Sequence, residues 1–270
     1  GKTGILNGLV PRVDGEIVFM TDANTMHHRQ SLRKLVCHFA DPSVGGVAGH
    51  VKHILRGSVH YEEAIYRSFE ARQKWLESML HSTISAFGGF YTIRKSLFRS
   101  IPANAYSNDD VLIPMHVVRL GYRMIFEPKA ISEEETSEGA RTEFHRRVRI
   151  GAGNFQAFFW LSDFLNPFRG WPAFCYVSHK VTRWFSPVFM VLGYICCTAL
   201  ALIAPEPVIY RAFSIAGLTT VVAALAYRII PSRLLRLLFY FFSMNTALLI
   251  GGLRFVMGIR SAAWSRTTRG

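Results

Sequence analysis

Ser107-Asn108-Asp109-Asp110-Val111-Leu112-Ile113-Pro114 puts two adjacent carboxylates between a polar loop and an apolar run, at the start of an expected helix. Acids there meet free backbone N–H groups and the positive end of the helix dipole. The local reading is an N-cap, Asp109, followed by a first-turn acid, Asp110. Their company gives the pair a second reading. Asp22-Ala23-Asn24 ends a strand pattern upstream, the small-residue turn Gly88-Gly89 lies between with Arg94, and Arg146-Arg147-Val148-Arg149 follows downstream. Two acidic sites and a guanidinium cluster are what a metal-bound diphosphate leaving group and a base-activated hydroxyl require.

Around this stretch, residues 1–150 read as a mixed, charged domain and residues from about 184 onward as apolar blocks. A net charge of +13 over 270 residues calls for an anionic partner. Much of the arginine lies beside apolar segments, which favours lipid headgroups over nucleic acid; no nucleic-acid partner is expected. Cys37, Cys175, Cys196 and Cys197 form neither a C-x-x-C pair nor a Cys/His ligand pattern, so they read as small hydrophobes. Gly1-Lys2-Thr3-Gly4 reads as the middle of a fold, and the chain is expected to be a fragment.

Glu16-Ile17-Val18-Phe19-Met20 is short, apolar and β-branched, as suits a buried strand, and Asp22 falls at its carboxyl end, where open α/β sheets bind ligands. His27 and His28 read as the solvated start of the next helix. Helical spacing over Leu32–Phe39 stops at Asp41-Pro42-Ser43, and residues 47–54 alternate as a strand. Tyr61–His81 reads as an amphipathic helix with Tyr66, Phe69, Trp75 and Leu76 turned to the core and Arg67, Arg72 and Lys74 outward. A helix from Asp109 to Arg119 ends at Gly121, Tyr122–Phe126 is a further strand, and Glu133-Glu134-Glu135 reads as a solvated loop. A basic helix over 138–159 and the aromatics Phe158, Phe159, Trp160, Phe164, Phe168 and Trp171 suit a membrane interface.

Three apolar blocks follow, Phe185–Ile203, Ala212–Ile230 and Leu234–Met257. The first two approach the ~20 residues a bilayer needs. Arg228, Arg233 and Arg236 gather beyond the second, which puts the first domain on the cytoplasmic side, and a bacterial inner membrane is the expected location. The third block carries Arg236 and Asn245 and is expected to be partly interfacial or re-entrant, with the basic tail cytoplasmic.

Lys2 with Asn7, Thr21-Asp22-Ala23-Asn24, the Gly88-Gly89 to Arg94 segment, Asn108-Asp109-Asp110, the 146–150 run and Trp264-Ser265-Arg266-Thr267-Thr268-Arg269, in that order and followed by membrane blocks, resemble the processive inverting glycosyltransferases of family 2. That group contains the cellulose, hyaluronan and poly-N-acetylglucosamine synthases. The resemblance implies an α/β fold: part of a GT-A domain with a Rossmann-like mixed sheet over 1–150, interfacial helices over 151–184 and a transmembrane region over 185–270. It implies a UDP-sugar donor, a polysaccharide or lipid-linked acceptor, a lipid bilayer and a Mg2+ or Mn2+ cofactor, with an accessory membrane subunit as a further candidate partner.

Residue by residue, the resemblance makes Asp110 the general base and Asp22 and Asn24 the metal ligands. Lys2, Arg149, Trp264, Thr267 and Arg269 attend the nucleotide and diphosphate, and Gly88, Gly89, Arg94, Asp109 and Arg146 the acceptor. The chain departs from the family's D-x-D at Asn24 and from its Q-x-x-R-W at Arg146 and Ile150. First strands carrying a uracil-binding acid are expected to precede Gly1. The alternatives are a non-processive transferase acting on a lipid carrier and a catalytically silent membrane scaffold.

Overall fold

A computed structural model describes residues 2–54, 61–135, 140–203, 208–230 and 232–258. Helix α1 (Lys2–Leu9) leads into the edge strand β1 (Ile17–Thr21) and the short β2 (Thr25–His27). Helix α2 (Ser31–Val36), strand β3 (Val44–Ile54), helix α3 (Tyr61–Leu80), strand β4 (Phe90–Arg94), helix α4 (Asp109–Arg119) and strand β5 (Arg123–Glu135) complete the first half. The five strands form one mixed sheet in the order β1-β4-β3-β5-β2, with β3 and β5 parallel and the other pairs antiparallel.

That topology decides where chemistry can sit. Thr21 pairs with Phe90, Ala48 with Tyr91, and Thr25 with Glu134, so the carboxyl ends of β1, β3 and β5 reach the same edge. Asp22 follows β1 there, and Gly88-Gly89 precede β4 there. The core behind this edge is the apolar interior of the sheet, with Val47, Phe90, Tyr91, Ile93 and Met124 out of contact with water.

Several expectations change. The Glu133-Glu134-Glu135 run is the end of β5, paired with β2, and not a solvated loop. His27 belongs to β2, stacked on Phe90 at 4.9 Å with its Nε2 2.8 Å from Thr21 Oγ1, and does not begin a helix. Helix α3 buries a different face from the expected one: Phe69 is 61% exposed, Trp75 and Leu76 are also exposed and Lys74 is 0% exposed, while Arg72 is exposed as expected. The reason is polar. The irregular segment between α3 and β4 is buried, and its Ser85 O and Ile84 N are satisfied by Lys74 and Glu77 of α3, which outweighs the apolar stripe.

The second half begins with helix α5 (Ala140–Trp160), which runs straight through the expected boundary at residue 150. After the short α6 (Trp171–Cys175) and a wide turn at Tyr176–Val181 come α7 (Thr182–Ile203), α8 (Val208–Ala226) and α9 (Arg233–Val256). Three helical stretches among the described residues, Trp171–Ile203, Val208–Ala226 and Arg233–Val256, are long and apolar enough to cross a membrane. The third is one unbroken helix from Arg233 to Val256. It lies along α5 at glycine-lined contact: a Cβ on Gly251 would fall 2.3 Å from Val148 O, and one on Gly252 would fall 2.6 Å from the Phe155 ring. Close backbone approach through small residues is the usual seam between apolar helices.

Gly251→Val therefore forces α9 off α5. Overpacking of this kind costs about 1–3 kcal/mol, and the expected outcome is a lower melting temperature in detergent, with Gly193→Val, where a Cβ meets nothing within 4 Å, as the neutral control.

Candidate active site

The site is assembled from five elements. Asn7 clamps α1 by donating from Nδ2 to Ile101 O (2.7 Å) and accepting from Ile101 N at Oδ1 (2.9 Å). That clamp delivers Lys2 to the sheet edge. Its ammonium donates to Gly88 O at 2.9 Å and lies 3.0 Å from both Asp22 Oδ1 and Asp109 Oδ2. Burial alone would lower the Lys2 ammonium, but the Asp109 and Asp22 carboxylates override it and hold the group protonated well above its ordinary value.

Asp109 and Asp110 open α4, and the cap position before them is Asn108, not Asp109 as expected. Asn108 adopts the left-handed conformation (φ 71°, ψ 30°), tolerable for Asn, and its Nδ2 donates to Asn154 Oδ1 at 2.7 Å. On the same helix, Gln156 accepts from Tyr106 N (3.0 Å) and donates to Asn104 O (3.0 Å). A Cβ on Gly153 would overlap Ser107 Oγ. Gly153, Asn154 and Gln156 thus fix the loop that aims both acids, a role the sequence reading missed; the polar pair Asn154 and Gln156 inside an otherwise apolar stretch was the available signal.

Burial pushes the Asp109 carboxyl up to about 6, opposed by Lys2 and reinforced by Asp110 and Asp22. Asp110 faces the glycine turn: its Oδ2 lies 3.8 Å from where a Cβ on Gly88 would stand, and its backbone carbonyl accepts from Ala86 N at 2.8 Å. Beneath the acids is Tyr91, fully buried. Burial first, then the charges of Asp109, Asp110 and Asp22, hold its hydroxyl well above its ordinary range, so all three carboxylates bear on one phenol. Arg149 projects from α5 to the same region. Burial and the neighbouring Arg146 lower it, and Asp109 counteracts them. Arg146 itself is held by Glu143 Oε2 at 3.0 Å.

One predicted member does not join. Arg94 sits at the opposite end of β4, paired with Ile17, and donates to Val44 O (2.8 Å), Phe39 O (2.9 Å) and Asp41 O (3.1 Å). A five-residue strand separates it from the glycine turn, about 17 Å at ~3.3 Å per residue, so it is a structural tie and no part of an acceptor site. Asn24 donates from Nδ2 to Glu134 Oε1 at 2.9 Å, which orients the side chain and leaves its Oδ1 as the atom that could meet a metal. Trp264, Thr267 and Arg269 lie outside the described residues.

Among the described residues no three His, Cys, Asp or Glu side chains converge to hold a metal. The oxygens that do converge are Asp22 Oδ1, Asp109 Oδ2 and Gly88 O around the Lys2 ammonium. A cation already occupies this all-oxygen cradle, and its donor chemistry fits a hard divalent ion.

With that geometry in view, comparison with known proteins gives the class. Residues 17–259 match the family described as glycosyl transferase family group 2, and the chain belongs to that family. It is similar to a solved mannosyltransferase, PcManGT from Pyrobaculum calidifontis, in complex with GDP-Man and Mn2+, with a TM-score of 0.65 and 21% identity over 95% of this chain. The chain spans 66% of that protein's length. The fold is accordingly a GT-A-like mixed sheet followed by helices. No curated protein matches the chain.

Two outcomes follow from the site. A Cβ on Gly89 would lie 2.9 Å from Asp22 Cβ, Asp22 Oδ2 and Thr25 Oγ1, whereas one on Gly88 meets nothing nearer than 3.8 Å. Gly89→Ala is expected to lower turnover by about 100-fold by displacing Asp22, since ~1 Å of misplacement can cost that much, while Gly88→Ala keeps Asp22 in place; initial rates compare them. The second concerns pH. Because the folded chain binds the Asp109 proton more tightly than its ordinary value of 3.8 allows, ionisation of Asp109 works against the fold. The penalty is absent below that value and complete once pH passes about 6. Asp109→Asn lacks this slope, so its stability relative to the parent should rise by about 2–3 kcal/mol between about pH 4 and about pH 7, at ~1.4 kcal/mol per pKa unit, read from melting curves.

Proposed function

We propose that this chain is a membrane-embedded inverting transferase that moves a sugar from a nucleoside diphosphate sugar, UDP-linked in the leading reading, to a hydroxyl of a growing polysaccharide. The observation that carries this is the seating of Asp110 over the glycine turn, on the same edge as the Asp22–Lys2–Asp109 bridge, with Arg149 bearing on Asp109.

Asp110 accepts the proton of the acceptor hydroxyl as that oxygen bonds to the anomeric carbon, while the bond from that carbon to the diphosphate oxygen breaks on the opposite face. In-line displacement inverts the centre. Lys2 and Arg149 meet the negative charge that grows on the departing diphosphate, where fixed charges in a partly dry site act most strongly. With the Lys2 ammonium displaced from this cradle toward the diphosphate, Asp22 and Asp109, with Gly88 O, would hold Mg2+ or Mn2+, which when bound supplies further neutralisation of the diphosphate. Asp109 also lines the acceptor side, and Gly88 and Gly89 let the acceptor approach the backbone closely. Membrane embedding is supported by the three long apolar helices, with the sheet domain cytoplasmic by the arginine distribution.

A second reading has one observation in its favour. The fold is similar to that of a mannosyltransferase in complex with GDP-Man and Mn2+, which supports a GDP-linked donor; the acceptor in this reading is a lipid carrier that receives a single sugar.

The test uses membranes containing the full protein, a panel of UDP- and GDP-sugars, and nucleotide release together with product length. Asp110→Asn is expected to lower transfer by about 100- to 10,000-fold, the usual contribution of a general base, while membrane insertion is retained. Unchanged transfer in that variant would overturn the assignment of Asp110; polymeric product from a UDP-sugar favours the first reading, and a single addition from GDP-mannose the second.

A further inference from the structure

The cluster of buried charges behind the site has no part in the chemistry above. Lys74 is 0% exposed, and Glu70 and Glu77 beside it on α3 are also buried. Lys74 Nζ donates to Ser85 O at 3.1 Å and to Ser85 Oγ, and stands 5.0 Å above the Phe87 ring. Glu77 Oε2 accepts from Thr83 Oγ1 and Ile84 N, both at 3.2 Å, and Thr83 Oγ1 also donates to Ser85 O at 3.0 Å. The backbone of residues 83–85, buried and outside any helix or strand, is therefore held by two charged side chains of one helix. The next residue along, Ala86, donates its N–H to the Asp110 carbonyl, and Gly88 follows.

The same carboxylates are gripped from the other side. His179 Nδ1 lies 2.5 Å from Glu77 Oε1, Lys180 Nζ 3.6 Å from Glu70 Oε1, and Arg183 Nη2 3.8 Å from the same oxygen. These three residues lie at the beginning of the first long apolar stretch. Burial lowers the Lys74 ammonium, while Glu70, Glu77 and then Asp110 work to keep it charged.

We infer that Lys74 is a positioning residue: its buried ammonium, anchored by Glu70, fixes Ser85 and Phe87 so that the Ala86–Asp110 hydrogen bond and the Gly88-Gly89 turn keep Asp110 in register with the acceptor. It rests on the transferase reading above and adds to it a residue that touches neither donor nor acceptor. Burying an ammonium is costly unless it is paired and bonded, and the bonds it makes here go to an irregular segment that ends at the site. Because the pairing carboxylates are shared with His179, Lys180 and Arg183, the seat of the first apolar helix is mechanically part of the same support.

The experiment measures kcat and donor KM in membranes for Lys74→Met, Lys74→Arg and Ser85→Ala, with Asp110→Asn and the parent alongside, after melting curves establish that each variant is folded. Displacement of Asp110 with the donor pocket intact predicts that Lys74→Met lowers kcat by about 10- to 100-fold at unchanged donor KM, and that Lys74→Arg recovers part of the loss. If Lys74→Met does not fold, Ser85→Ala decides, with a several-fold fall in kcat at unchanged KM expected. Parental kcat in the deciding variant, or a fall in kcat matched by weaker donor binding, overturns the inference. Failure of the transferase reading is separate, since the parent would then release no nucleotide from any sugar in the panel.

Discussion

Three carboxylates at one sheet edge repel one another, and the Lys2 ammonium is what allows them to stand together. It bridges Asp22 and Asp109 at 3.0 Å each and borrows a third oxygen from Gly88. Like charges this close in a partly buried place cannot all remain ionised without a counter-charge, and Asp109 retains an elevated affinity for its proton even so. The bridge also joins parts distant in sequence. The first helix, the end of β1, the glycine turn and the start of α4 meet at one nitrogen, so the integrity of the Asn7–Ile101 clamp is a condition for the geometry of the acids.

The helical half contributes as scaffold. Helix α9 lies against α5 at glycine contact, and α5 carries Arg149 on one stretch and Asn154 and Gln156 on the next. A shift of α9 therefore moves both the Arg149 guanidinium and the amides that hold the loop before Asp109. The Ser186–Asn245 bond ties α7 to α9 in the same way that glycine packing ties α9 to α5. Separating the chain into a soluble catalyst and an inert anchor would misdescribe it: the apolar helices fix where the polar residues point.

What was legible in the sequence was whatever depends on local pattern. Strand β1, the acids at its end, helix α4 with its closing Gly121 at φ 88°, and the three apolar helices all announce themselves by period, caps or length. What was hidden depends on partners far along the chain. Helix α3 displays an apolar stripe that points to solvent, because the buried backbone of residues 83–85 claims Lys74 and Glu77 for the inner face. Arg94 follows the glycine turn by only a few residues, yet a strand carries it to the other end of the sheet. Asn24 is oriented by Glu134, more than a hundred residues later, which accepts from its Nδ2. Asp109 resembled a cap until Asn154 engaged Asn108 in that position.

Polarity across the site then explains why an anionic leaving group belongs there. The strand tip is rich in carboxylate and is bridged by the Lys2 ammonium; the α5 side carries Arg149, whose charge is opposed by burial and by the neighbouring Arg146. The two sides thus hold fixed charge of opposite sign. On the proposed function, a diphosphate presented with its cation would meet both at once, the anion facing the guanidinium and the cation taking the place of the Lys2 ammonium between Asp22 and Asp109, whereas either ion alone would meet one side only. Donor and cation are therefore expected to strengthen one another's binding, and since coupling of this kind is reciprocal, the site favours the complex that is about to react over either component by itself.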